Sequence, residues 1–229
     1  MLRKKLVVFT GAGISAESGL RTFRDQDGLW ENRRVEDVAT PEAWRRDPGL
    51  VLHFYNERRR DVLHARPNKA HLGVALLEKY FDVIVVTQNI DDLHERAGSS
   101  EIIHLHGEIL KMRSEQEPGK LFSVTTDMLP EQRAPGGSRL RPHVVWFGEA
   151  VPHLEMAAAM VAAADIFVLI GSSLQVYPAA GLLQYVGRDT PVFVLDKKIP
   201  HIPFRNIRGI EKPATAGIDD LIALLLQLY

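Results

Sequence analysis

Five stretches of the sequence carry small or polar residues of the kind that hold a phosphorylated sugar, and each follows an apolar run. The first, Gly11-Ala12-Gly13-Ile14-Ser15-Ala16, is a glycine-rich turn that lets backbone N–H groups and a helix N-terminus approach a pyrophosphate. The same turn also serves as a tight connection with no ligand. The second, Thr87-Gln88-Asn89-Ile90-Asp91-Asp92-Leu93-His94, groups amides and carboxylates able to grip a carboxamide and a ribose, or to cap a helix through Asn89 or Asp91. In the third, His104-Leu105-His106-Gly107-Glu108, the imidazoles stand two apart. On a strand they would share a face, so a metal pair is conceivable, yet no third ligand lies at a diagnostic spacing. One histidine at a strand end beside a cofactor is a natural general base, because its unperturbed pKa is near neutral. Gly171-Ser172-Ser173 and Asp196-Lys197 complete the set, as contacts to phosphate, ribose or adenosine or as plain turns. Between the first two, Glu17-Ser18-Gly19-Leu20-Arg21-Thr22-Phe23-Arg24-Asp25 is cationic and aromatic, a lid over a phosphate site or a solvated basic loop.

The elements that must position these residues alternate. Apolar runs at 6–10, 83–87, 102–105, 166–170 and 192–195 show no polar–apolar alternation, so they are strands buried on both faces. Helical patterns cover roughly 49–63, 68–80, 153–164, 178–187 and 217–228. Strand then helix in alternation predicts an α/β protein with a Rossmann-like, doubly wound parallel sheet, whose ligands bind beyond the carboxyl ends of the strands. Residues 20–80 hold no convincing strand, where an ordinary dinucleotide fold would place its second, so the usual ribose-binding acid is missing. Residues 112–143, punctuated by prolines and glycines, suggest a smaller irregular lobe or flap.

At 229 residues, 45% of them apolar, the chain fits one domain. The division expected is a Rossmann-like part at about 1–20, 82–111 and 144–229, with a small lobe and cofactor loop at about 21–81 and 112–143. A balance of 28 Lys+Arg against 29 Asp+Glu argues against nucleic acid or an anionic membrane as the main partner. The absence of cysteine removes disulfides, thiolate metal sites and a thiol nucleophile. The apolar run after the basic start is too short for a leader, and the longest apolar stretch, 156–170, is cut by Asp165, so a cytoplasmic protein, taken as a monomer, is expected.

Taken together, Gly11-Ala12-Gly13-Ile14-Ser15 with Phe23-Arg24-Asp25, Thr87-Gln88-Asn89-Ile90-Asp91, His106-Gly107-Glu108, Val144-Val145-Trp146-Phe147-Gly148-Glu149 and Gly171-Ser172-Ser173 resemble the signature set of the sirtuins, NAD-dependent protein lysine deacylases. The resemblance runs through nearly the whole chain in order. It implies that Gly11, Ala12, Gly13, Ser15, Glu17, Gln88, Gly171, Ser172 and Ser173 line the ribose and phosphate site, with Phe23 and Arg24 closing over the cofactor. It further implies a nicotinamide pocket of Asn89, Ile90 and Asp91, an adenosine end at Asp196, Lys197 and Ala214, and a catalytic set of His106, Asn89 and Asp91. Val145, Phe147 and Gly148 would pair with the substrate backbone as an added strand. The implied reaction moves no hydride: the acyl oxygen of an acyl-lysine attacks the ribose carbon that bears nicotinamide, His106 deprotonates a ribose hydroxyl, and acylated ADP-ribose leaves.

The match is nearest to the class that removes acidic acyl groups, through Tyr55 and Arg58, three apart and so on one helix face, placed to grip a succinyl or malonyl carboxylate. Arg58 also reads as part of the solvated Arg58-Arg59-Arg60 run. Where the family has zinc-binding cysteines, this chain departs: Ser114 stands in place of the first, so no zinc is expected and the lobe is expected to be a short metal-free flap. Three other readings remain: a mono-ADP-ribosyltransferase, a non-catalytic NAD or ADP-ribose sensor and, third, a hydride-transferring dehydrogenase.

Overall fold

In the computed structural model, which describes residues 3–21, 29, 30, 33–202 and 207–229, the first apolar run is strand β1 (Lys5–Thr10). Leu6 and Val8 face one hydrophobic cluster, Val7 and Phe9 another, and all four are fully buried. That is why the run shows no polar alternation: neither face meets water. After two short 3-10 turns (Ala12–Ile14 and Ala16–Ser18), strands β2 (Leu29–Trp30) and β3 (Arg33–Arg34) form a two-residue antiparallel ladder. Helices α1 (Val35–Val38), α2 (Pro41–Arg46), α3 (Pro48–His64) and α4 (Lys69–Leu77) follow. Asp47 starts α3 by accepting from the Leu50 N–H at 2.9 Å, with Pro48 in the first turn, where its missing N–H costs nothing. Asn68 starts α4 in a capping box whose return partner is His71 Nδ1, accepting from the Asn68 N–H at 3.3 Å.

The rest of the chain supplies β4 (Asp82–Thr87), α5 (Leu93–Ala97), β5 (Ile102–His104), β6 (Gly107–Ser114), β7 (Leu121–Ser123), β8 (Leu140–Val144), α6 (Leu154–Ala162) and β9 (Ile166–Ile170). A 3-10 segment (Ala179–Tyr185), β10 (Val192–Asp196), β11 (Ile207–Glu211) and α7 (Ala214–Leu226) complete it. Six strands make one parallel sheet in the order β11-β10-β9-β1-β4-β5, running outward in both directions from β1. Thr10 lies level with Thr87 and Ile170, so the carboxyl ends of the central strands open on one rim, the switch point where such sheets bind ligands. Helices α4 and α7 cover one face through Val74, Leu77, Ile218 and Leu221; α6 and the 3-10 segment cover the other through Ala157, Val161 and Leu182. A third cluster, with Trp44, Phe54, Tyr55, Ile109, Met128 and Trp146, is the core of the small lobe.

Four expectations need correction. The polar stretch expected to be an irregular flap contributes to an antiparallel sheet of order β7-β6-β8. Its turns are closed by side chains, with Ser114 Oγ 2.5 Å from Ser138 Oγ and the Glu117 N–H donating to Ser114 at 3.1 Å. The expected division is also shifted: α4 packs on the parallel sheet, while residues 107–111 belong to the small one. The helix expected over 178–187 is the 3-10 segment. Finally β11, an edge strand with Arg208 and Gly209 exposed, escaped the reading because only Ile210 of its residues is buried. No helix among the described residues is long and apolar enough to cross a membrane.

Candidate active site

Beyond β1 and β9 two turns sit backbone on backbone. The Gly11 N–H donates to Ile170 O at 3.1 Å and the Gly13 N–H to Gly171 O at 2.8 Å. A Cβ on Gly13 would lie 2.6 Å from Gly171 Cα, and Gly171 itself has φ +62° with Ile14 N only 2.4 Å from where its Cβ would be. Glycine is therefore needed for the contact between the turns. This junction walls a cleft of about 820 Å³, a size that suits a dinucleotide-scale ligand. Gly11, Ala12, Gly13 and Ser15 line it from the first strand end, Gln88, Asn89, Ile90 and Asp91 from β4. His106 enters from beyond β5, Gly171, Ser172 and Ser173 from β9, Asp196 and Lys197 from β10, and Ala214 from the start of α7.

At the bottom of the cleft the Ser15 hydroxyl donates to Asp91 Oδ2 at 3.0 Å and accepts from Asn89 Nδ2 at 3.0 Å. Because His71 Nδ1 accepts from Asn68, its Nε2 carries the proton and faces Ser15 Oγ at 3.4 Å. Burial pushes His71 down to about 4, so the ring is neutral at working pH. Asp91 also accepts from the Leu93 N–H at 3.1 Å. Burial pushes its pKa up to about 6, against the pull of the Leu93 and Ser15 hydrogen bonds, so the carboxylate stays ionised at neutral pH. Gln88 Oε1 accepts from the Ser172 hydroxyl at 3.0 Å, while Gln88 Nε2 is buried without a partner among the described residues. An orphaned donor on the cleft wall is a position for a ligand oxygen.

His106 stands where the chain turns out of β5. The next residue, Gly107, has φ +80°, and a Cβ there would come within 2.2 Å of His143 O. His106 Nδ1 lies 3.0 Å from the Gln88 carbonyl, which can only accept, so Nδ1 carries the proton and Nε2 keeps its lone pair. Burial lowers the ring's pKa, and the Gln88 bond offsets this only in part. At neutral pH the side chain is a free base. His104 does not share its face: the strand ends at His104, whose ring turns to Glu95 and lines a second, smaller cavity. Among the described residues, no group of three or more His, Asp or Glu side chains is placed to hold a metal.

Of the substrate residues named from sequence, Arg58, Val145, Phe147 and Gly148 line the cleft. Arg58 Nε and Nη2 donate to Asp61 Oδ2 at 3.2 and 3.0 Å, and Asp61 and Glu57, which sequence reasoning passed over, line the same wall. Val145 N–H donates to His106 O, Trp146 N–H to Glu149 Oε2 and Phe147 N–H to Ala39 O, so a peptide strand added here would be held chiefly by the segment's carbonyls. Tyr55 stands apart from these residues. It is fully buried against Trp146, accepts from Trp146 Nε1 at 3.0 Å, and does not line the cleft. Phe23 and Arg24 lie outside the described residues.

Glu17 also stands apart from the cleft. Its carboxylate accepts from the Thr215 N–H at 3.0 Å and the Thr215 hydroxyl at 2.7 Å, satisfying the first turn of α7, and it does not line the cleft. Glu17→Ala is therefore expected to cost about 1 kcal/mol of stability in urea unfolding, as loss of a helix cap does, and to leave the Michaelis constant for a dinucleotide unchanged. A tenfold rise in that constant at unchanged stability would return Glu17 to the cofactor site.

A model of the Sir2 family matches residues 11–178. The chain is 51% identical over 231 residues to a protein of Bacteroides thetaiotaomicron named NAD-dependent protein deacylase, covering 97% of this chain and 98% of that one. Among solved structures it is similar to a Sir2 homologue in complex with NAD, with TM-score 0.88 and 38% identity over 99% of this chain and 91% of that one. A Sir2 structure holding a p53 peptide and NAD+ superposes with TM-score 0.82 at 28% identity, covering 98% of this chain and 95% of that one. The family model spans most of the chain and the relatives align with nearly all of it, so the chain belongs to the Sir2 family.

Proposed function

We propose that the protein is an NAD-dependent protein-lysine deacylase that acts on acetyl-lysine and on succinyl- and malonyl-lysine, releasing nicotinamide and O-acyl-ADP-ribose. The observation that carries the reading is His106, a buried base with a bare Nε2, on the wall of the cleft that also holds the Ser15–Asn89–Asp91 network. The residues fit NAD: the orphaned Gln88 Nε2 and the Ser172 hydroxyl are polar groups at the glycine junction, and the relatives carry the same assignment in their names. NAD, held along the glycine junction and by Gln88 and Ser172, would supply a ribose carbon that exchanges its bond to nicotinamide for one to the acyl oxygen. Asp91, kept ionised, accepts from the carboxamide and orients that leaving group. His106 Nε2 would then take the proton of a ribose hydroxyl, so that its oxygen could add to the acyl carbon; addition of water to that carbon would break its bond to the lysine nitrogen, releasing the free amine and leaving the acyl group on ADP-ribose. Fixed dipoles of the cleft wall would act on the developing cationic sugar. The lack of cysteine suits a reducing compartment, and the cytoplasm and a monomeric state remain part of the proposal.

Incubation with NAD and matched acetyl-, succinyl- and malonyl-lysine peptides tests it by peptide mass. Loss of the acyl group only when NAD is present is the expected result; a gain of ADP-ribose would make the protein a transferase to side chains instead. For acyl choice, a charge-assisted contact from Arg58 contributes about 1.5–3 kcal/mol, so Arg58→Met should lower desuccinylation about 10- to 150-fold. Deacetylation should change by less than about threefold, since no carboxylate is involved. Equal losses on both peptides would remove Arg58 from acyl selection.

A further inference from the structure

The chain leaves the parallel ladder after Thr87, so the carbonyls that follow must find other partners. They find them in one later segment of the chain, residues 104–109. Thr87 O accepts from the Leu105 N–H at 2.9 Å and Ile90 O from the Ile109 N–H at 2.8 Å. Between them, Gln88 O faces His106 Nδ1 at 3.0 Å and Asn89 O faces His104 Nδ1 at 3.1 Å. Two imidazoles thus clasp successive carbonyls in the same way, and their other nitrogens part company. That of His106 stays unprotonated on the cleft side of the chain. That of His104, Nε2, meets Glu95 Oε1 at 2.7 Å.

A neutral imidazole carries one N–H, whereas His104 faces two groups that only accept, a carbonyl and a carboxylate. Both nitrogens must be protonated to serve both. The proton sits on the ring because an imidazole is a stronger base than a carboxylate, and Glu95, 40% exposed at its side chain, keeps its negative charge solvated. We propose that His104 is a positioning residue, a standing imidazolium paired with Glu95 that holds the Asn89 carbonyl and so sets the Asn89 amide and the Asp91 carboxylate for the nicotinamide end of NAD. The inference rests on the NAD-cleaving reading above.

The electrostatics agree with the geometry. Burial pushes His104 down, but the hydrogen bond and charge of Glu95, then the Asn89 carbonyl and Glu108, outweigh it and the net direction is up. Burial likewise pushes Glu95 up, and its bond to His104 reverses that. The charge of His104 acts on Asp91 against the burial that raises it. Other groups facing His104 do not compete: burial holds His94 and His143 neutral, and Lys111 is paired with Glu108 at 2.6 Å. His104's pKa is raised in the fold, so the pair is complete between the ordinary values of 4.5 for Glu95 and 6.5 for His104. It weakens as pH rises through the raised value of His104.

The test is nitrogen-edited NMR of the imidazole rings in the full chain, with His104→Gln to identify the resonance and Glu95→Gln as the isosteric removal of the counter-charge. Both His104 nitrogens should be protonated at pH 6, inside the window where the pair is complete, in the parent, and the Glu95→Gln protein should show a ring with one N–H. In steady state, Glu95→Gln should raise the NAD Michaelis constant and the nicotinamide inhibition constant roughly tenfold, the scale of one charge-assisted hydrogen bond, with the acyl-peptide constant within about twofold. A single N–H in the parent, or equal rises in all three constants, would overturn the proposal. Should His104→Gln not fold, disappearance of the doubly protonated signal in Glu95→Gln identifies it, and its persistence there counts against the assignment. Failure of the parent to release nicotinamide would overturn the functional reading, while the ring spectrum would still decide the state of His104.

Discussion

His106→Ala is expected to lower acyl-peptide turnover by about 10²- to 10⁴-fold, the range that a positioned general base supplies, while NAD affinity stays within a few-fold. The asymmetry follows from the geometry. The ring touches the protein through one hydrogen bond to the Gln88 carbonyl, and the turn around it is set by Gly107 and the Val145–His106 backbone bond, which alanine preserves. What is lost is the Nε2 lone pair. Because burial lowers the pKa of His106, the parent's activity should hold through neutral pH and fall only below the ordinary histidine value of 6.5, as the base is protonated. Calorimetry of NAD binding beside the mass assay separates the two effects. Retained turnover, or loss of NAD binding equal to the loss of turnover, would deny His106 its role.

The largest expected loss of stability is at Arg141. Its guanidinium donates to both oxygens of Glu149, at 2.6 and 3.0 Å, and to Val144 O at 3.0 Å, and it lies 3.2 Å from the centroid of the Trp146 ring. Arg141→Met would leave the Glu149 carboxylate, 21% exposed, with the Trp146 N–H and the longer contact to Arg113 at 3.4 Å. Breaking a buried ion pair by removing one partner costs about 3–5 kcal/mol, and the surviving Arg113 puts the expectation near the lower figure. Against total stabilities of about 5–15 kcal/mol, that is a large fraction. Burial raises the pKa of Glu149 but Arg141 more than reverses it, so the folded value is depressed. Its contribution is therefore present above the ordinary value of 4.5 and disappears as pH falls through the folded one, so parent and variant should converge in acid. The same contacts fix residues 144–148 on the cleft wall, so the peptide Michaelis constant should rise more than that for NAD. Urea unfolding at pH 7 and in acid checks the stability; a difference below about 1 kcal/mol at pH 7 would show the pair to be replaceable.

The parallel sheet was legible because its strands are buried on both faces, which leaves runs such as Val83–Val86 with no polar position. The small sheet was not, since β6 has neither a buried apolar run nor a regular alternation, with Leu110, Lys111, Met112 and Arg113 all half-buried, and its closing bonds join serines distant in sequence. Strand-end residues were legible as a group: once the order of the sheet is given, Gly11, Gln88, His106 and Ser172 must meet on one rim. Sequence proximity did not foretell the tertiary contacts of individual side chains. Glu17 follows the glycine turn but caps α7 at Thr215, a partner that no local pattern announces. Tyr55 and Arg58 share a helix face only to within about 60° of azimuth, enough for Tyr55 to enter the lobe core and Arg58 the cleft. His104 was weighed only as half of a metal pair, because a strand was assumed to run through His106, whereas β5 ends two residues earlier.

The central claim, that one cleft couples breakage of NAD to removal of an acyl group from lysine, is tested most directly by counting products. With limiting succinyl- or acetyl-lysine peptide and excess NAD, nicotinamide released, acyl groups lost from the peptide and acylated ADP-ribose formed should rise together, one for one for one. Nicotinamide released with the peptide intact, or acyl loss that proceeds without NAD, would contradict the account.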